Sequence, residues 1–269
     1  MLGKLLKYDF KDSLRQFLPL WGALLAMSLL NGLSGKLLPE TSSAAGTVQS
    51  LSGIVVFALF VAIAALSISV ILSRFYAGLL GEGGYLYFSL PVTANQHLAS
   101  KYITAMVMAI GCSATALGSG FILLAFQEEG FLSGFTGFLK DMLQAFQRYP
   151  KSGLLAAEVM VIALLTLSCI ILRFYTAMAI GHLFNNHRQA WSIIAYVLMG
   201  WAKDLILVLL VNISDSIAAV VDLNLRGGEK LLDYSSSFAG GAVILLLLAA
   251  GAVMWLLTEY ILRNKLNLN

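Results

Sequence analysis

The spacing of charges along this chain limits what it can fold into more than any other feature. Residues 16–35, 41–73, 102–127, 205–214 and 234–258 contain no Asp, Glu, Lys or Arg, and residues 152–172 contain one, Glu158. A helix needs about 20 apolar residues to cross the hydrocarbon of a bilayer, where no water satisfies an exposed peptide group. Several of these runs reach or exceed that length. A soluble domain of 269 residues would also need charge to cover its surface, and 12% charged residues is about half the ordinary share of roughly 25%. The chain is therefore read as an all-α integral membrane protein with one transmembrane domain over 1–269.

Six spans are expected, at about 17–34, 51–73, 101–126, 153–180, 190–213 and 239–261. Lysine and arginine collect on the cytoplasmic side of membrane proteins. With the N-terminus inside, the inner segments hold ten of them and the outer loops six, and the outer loops also gather eight acids. Both termini are expected in the cytoplasm, with the protein multi-pass in the plasma membrane. The first apolar run has no A-x-A cleavage site after it and reads as a retained span. Cys112 and Cys169 fall inside spans and read as small packing residues rather than a disulfide or metal pair.

Residues 1–16 have a different pattern. Leu2, Leu5, Leu6, Phe10 and Leu14 recur at helical spacing, while Lys4, Lys7, Lys11 and Arg15 share the opposite side. A basic amphipathic helix of this kind is expected in the membrane interface, with its ammonium groups toward anionic lipid. Arg74 and Arg173 close the second and fourth spans in the similar phrases "ILSRFYAGLLG" and "ILRFYTAMAIG". Both read as interface anchors, because arginine snorkels to the headgroups and aromatics favour the same layer.

Between the second and third spans lies "GLLGEGGYLYFSLPVTANQHLASK". Its glycines make turns, and Pro91 discourages helix just before it. Thr93 with Gln96 forms a capping box, so a new helix is expected near Ala94. Residues 77–90 then make a short cytoplasmic knuckle that presents Glu82, Tyr85, Tyr87 and Phe88. Exposed aromatics on a turn read as a partner surface or as membrane anchors, and both remain open on these residues alone.

The stretch "GLLGEGGYLYFSLPVTANQHLASKYITA" resembles the segment after the second span in bacterial permeases of the type-two ABC transporter family. In those permeases a glycine-acid-glycine-tyrosine run leads to Leu-Pro-Val and a helix with Ser-Lys. "AMAIGHLFNNHRQAWSIIAY", residues 177–196, is similar to their second cytoplasmic turn. The resemblance implies that residues 77–90 are a coupling helix docking on a separate ATPase, through Glu82, Tyr85, Tyr87 and Phe88. It further implies two ATPase copies that carry ATP and Mg, and a second permease chain, identical or paralogous. The cargo would be an amphipathic peptide or lipid-like compound for export. No GxxxxGK[ST] loop occurs, so no cofactor is expected in this chain and no enzyme activity of its own.

Lys203 and Asp204 interrupt the fifth span. Intramembrane charges are costly and face a bundle interior or water. With Glu158 they read either as lining a translocation path or permease contact, or as a structural ion pair. Two other function classes compete with the ABC reading: an ion-coupled secondary transporter that uses these three residues, and a membrane anchor or sensor that recruits a partner through the knuckle. Gly32-Leu33-Ser34-Gly35 fits a GxSG serine protease pattern, but His97, His182 and His187 all fall on the other side of the membrane in this topology. No HExxH spacing and no basic-aromatic nucleic-acid surface stand out. Ala114 with Gly118 and Ala116 with Gly120 are expected to allow close helix approach. The external loop 127–152 alternates apolar and polar residues as an amphipathic helix on the outer leaflet would.

Overall fold

The computed structural model describes residues 2–37, 43–76, 93–127, 130–148, 152–184, 187–224 and 228–264. Among the described residues are seven helices and no strand: α1 (Leu2–Leu37), α2 (Ser43–Phe75), α3 (Ala94–Gln127), α4 (Phe131–Arg148), α5 (Ser152–Gly181), α6 (Arg188–Asn224) and α7 (Gly228–Asn264). Among them α1, α2, α3, α5 and α7 are long and apolar enough to cross a membrane. The expected fifth span, 190–213, lies within the continuous helix α6, which carries Lys203 and Asp204; the five are those found among the described residues.

The two pieces expected from the sequence, an interfacial helix over 1–16 and a span over 17–34, form one continuous helix that passes through Pro19. At 1.5 Å per residue its 36 residues run about 54 Å, well beyond the ~30 Å of hydrocarbon. The reason is visible in its buried positions. Asp9, Ser13, Phe17, Leu24, Ser28 and Asn31 are spaced by three, four or seven, so a single stripe runs unbroken from the basic half into the apolar half.

The chain divides into two compact units, residues 1–75 with 96–147, and residues 76–95 with 148–269. In the first, Leu24, Val56 and Ile63 form a buried cluster, with Leu20, Met27, Leu59, Phe60, Cys112 and Leu123 packed around it. Two polar pairs lie in this unit: the Asn31 amide donates to Ser52 Oγ at 2.6 Å, and the Trp21 indole donates to Cys112 Sγ at 3.3 Å. Close approach occurs at glycines that the small-residue spacing did not single out. A Cβ on Gly111 would enter the Trp21 ring, and one on Gly32 would meet Phe126 at 2.7 Å. Gly118 has only ordinary clearance from Leu25, and Gly120 faces open space among the described residues.

In the second unit α5 packs against α7 and α6. Helices in lipid gain little from apolar burial, so small residues and shared hydroxyls hold them together. Thr176 and Thr258 hydroxyls meet at 2.9 Å in a fully buried pair. The Cys169 thiol donates to the Leu247 carbonyl at 3.3 Å, and Gly251 clears the space beside Cys169 and Leu172. Both cysteines are free thiols.

Candidate coupling and translocation sites

Residues 77–90, with Glu82, Tyr85, Tyr87 and Phe88, lie outside the described residues. Helix α3 begins at Ala94, directly after Thr93, where the capping box put it. Before the knuckle, α2 ends in Arg74 and Phe75.

Both flanks are tied to the N-terminal half of α1 by a polar cluster in the first unit. The Asp9 carboxylate accepts one bond per oxygen, from Ser100 Oγ at 2.7 Å and from Lys101 Nζ at 2.6 Å. The two charged side chains are only 11% and 7% exposed, and Ser100 is fully buried. One turn along, Arg74 donates to Asp12 Oδ2 at 2.7 Å and to the Asp9 carbonyl at 3.2 Å. That carbonyl also accepts from Ser13 Oγ at 2.8 Å. Asp9 and Asp12 can reach two helices because residues three apart are neighbours on a helix surface. A buried ion pair persists only when both partners and their hydrogen bonds are in place, since desolvation otherwise outweighs the attraction. Here every carboxylate oxygen of Asp9 has a donor. The end of α2 and the first turns of α3 are thus both bonded to α1.

The sequence reading placed Arg74 as an interface anchor and Lys101 as an ordinary boundary charge, and it missed Asp9, Asp12 and Ser100. The signal that could have found them is two acids at i and i+3 within an otherwise basic helix, on the side away from the lysines. Lys4, Lys7, Lys11 and Arg15 are exposed, as the separation of faces required.

The remaining predicted residues fall in the second unit. Arg173 is half-buried, with its guanidinium 4.0 Å from the centre of the Tyr196 ring on α6 and donating to the Tyr196 hydroxyl. Phe174 stacks on the same ring at 4.4 Å. A Cβ on Gly200 would meet the Arg173 guanidinium at 2.8 Å. Lys203 and Asp204 pair with each other at 3.0 Å, although neighbouring residues leave a helix about 100° apart, because the long lysine stem bends back. Asp204 is 65% exposed. Glu158 joins neither of them. It lies against Gly240 of α7, where a Cβ would collide with its carboxylate, and its Oε1 is buried with no hydrogen-bond partner among the described residues.

His182, Leu183 and Phe184 amides bond back to Met178, Ile180 and Gly181 carbonyls, and His187 takes a positive φ of 56°. Phe184 stacks on Trp191 at 4.4 Å, and His182 meets the edge of Tyr76 at 5.8 Å. Among the described residues no group of three or more His, Cys, Asp or Glu side chains has an arrangement able to hold a metal.

The family model described as ABC-2 family transporter protein matches residues 44–147, which run from the start of α2 through the knuckle and α3 into α4. No curated protein and no solved structure matches the chain.

Proposed function

We propose that the chain is an ABC-2 type permease, a reading supported by the family match over residues 44–147, and that it is one half of a permease pair exporting an amphipathic or lipid-like compound, a peptide first among them. An ABC-2 type permease works with an ATPase subunit. In this reading two copies of that subunit bind ATP and Mg and dock on residues 77–90 through Glu82, Tyr85, Tyr87 and Phe88, with both termini of the permease in the cytoplasm. This chain performs no catalysis of its own. The second permease is an identical chain or a paralogue, and the path runs between the two, near Lys203 and Asp204.

The observation that carries the reading is the extent of the family match, which takes in the knuckle and both helices that flank it. The Asp9–Lys101 and Asp12–Arg74 bonds support it, since they give a push on the knuckle a rigid route into the spans. The test is co-purification of the tagged full chain from its own membranes. A nucleotide-hydrolysing subunit is expected to come with it and to be lost from a Tyr85→Ala, Tyr87→Ala variant. Undiminished retention by that variant, or no such subunit at all, overturns the docking assignment.

One observation favours a second reading. Glu158 Oε1 is buried without a hydrogen bond among the described residues, as a proton-carrying carboxylate in an ion-coupled carrier would be. Purified chain alone in liposomes, under an imposed pH gradient and an interior pH dye, separates the two. Flux abolished by Glu158→Gln would favour the carrier, and no flux without the ATPase favours the permease.

A further inference from the structure

Helix α4 (Phe131–Arg148) is amphipathic, and among the described residues no helix covers most of its apolar side. At 100° per residue, Phe131, Phe135, Phe138, Leu139, Met142 and Leu143 fall within one arc, while Ser133, Thr136, Lys140, Asp141 and Gln144 fill the opposite one. Phe138 and Leu143 are 61% and 58% exposed, and Leu139 and Met142 are exposed as well.

The start of the helix is fixed in place. Gly130 turns the chain at φ 91°, a left-handed angle that suits glycine, and its carbonyl accepts from the Gly134 amide and Ser133 Oγ, both at 2.8 Å. Phe131 and Phe135 then clasp Phe121 of α3 edge-on, with centroids 5.4 and 5.0 Å away. Depth follows from counting along α3. Lys101 and Phe121 are twenty residues apart on an uninterrupted helix, which is about 30 Å, the thickness of bilayer hydrocarbon. Taking the level of the Asp9–Lys101 pair, one turn from the exposed Lys11 and Asp12, as one water boundary, Phe121 falls at the other, and the first turns of α4 are held there with it.

We infer that α4 lies in the plane of the leaflet remote from the Asp9–Lys101 cluster, with Phe138, Leu139, Met142 and Leu143 sunk among the acyl chains. The occupant of its apolar face is lipid. That face continues the exposed apolar surface of α3 at the same depth, where Leu117 and Leu124 are also uncovered. The charges of α4 are mixed, Lys140 and Arg148 beside Asp141, so apolar area rather than attraction to anionic headgroups holds it in place. This assignment is independent of cargo and of the ATPase; with both termini cytoplasmic, the leaflet is the outer one.

The test uses the full chain, reconstituted in phosphatidylcholine vesicles with and without phosphatidylglycerol. Nitroxide labels are placed singly by Phe138→Cys, Leu139→Cys, Met142→Cys, Lys140→Cys and Gln144→Cys, and the signal of Cys112 and Cys169 is subtracted with the unsubstituted chain. Collision with oxygen, which concentrates in lipid, is compared with collision with a water-soluble nickel chelate. The ratio is expected to be high at 138, 139 and 142, low at 140 and 144, and the same in both lipid mixtures. Nickel access at all five positions overturns the inference, because α4 would then stand in water. Protection of 138, 139 and 142 from both agents also overturns it, because protein would then cover the face. A lipid pattern that appears only with phosphatidylglycerol would overturn the claim that apolar area drives insertion.

Discussion

Lys101→Met tests whether the N-terminal helix is truly clamped to the flanks of the knuckle. The substitution removes the ammonium group at similar volume and leaves the Asp9 carboxylate buried, with Ser100 as the side chain donating to it. Removing one partner of a buried pair costs about 3–5 kcal/mol, because the remaining charge stays desolvated. Combining Asp9→Leu with Lys101→Met removes both charges. The double variant should lose only about 1 kcal/mol, chiefly for the Ser100 hydroxyl left without its acceptor. The two substitutions are therefore expected to couple by about 2 kcal/mol or more. Asp12→Ala is the internal control: Asp12 is 69% exposed, and its bond to Arg74 should be worth under about 1 kcal/mol. The measurement is unfolding of the full chain in detergent micelles by titration with dodecyl sulfate, followed by circular dichroism. A Lys101→Met variant as stable as the parent would show that the pair holds nothing, and a double variant as unstable as the single would show that packing, not charge, is at stake.

Other consequences are simpler to check. Gly111→Ala pushes a methyl into the Trp21 ring and should cost about 1–3 kcal/mol in the same titration, while Gly120→Ala, which meets nothing among the described residues, should stay within about 0.5 kcal/mol. Asp204→Asn breaks an exposed pair and should change stability by less than about 1 kcal/mol, so a loss of transport in that variant at normal stability would place Asp204 on the path.

The membrane class and most helices are legible in the sequence because bilayer physics writes them as uncharged runs, and the start of α3 is legible because Thr93 and Gln96 form a local cap. The unity of α1 is harder to see. Its two halves differ in composition, and composition hides a phase that continues across the change; only the buried stripe from Asp9 to Asn31 exposes it. The Asp9 cluster was missed for a related reason. Lysines near a span are common enough to be read as anchors, and nothing local states that Lys101 turns toward an acid more than ninety residues away in sequence. Gly111 and Gly32 went unmarked because small-residue spacing shows where helices can approach, while the actual approach depends on which bulky side chain, Trp21 or Phe126, faces the gap. Glu158 and Lys203 remained ambiguous because intramembrane charge signals its cost but not its partner.

The continuity of α1 has a mechanical corollary. Trp21 rests in the notch left by Gly111, about 18 Å from Asp9 on one side and about 15 Å from Asn31 on the other, taking 1.5 Å per residue. If α1 tilts as one piece about this seat, through Pro19, it behaves as a seesaw with nearly equal arms. Tilting it toward α3 at the end that Asp9 grips would swing the far end, where Asn31 holds Ser52, the opposite way and by a comparable amount.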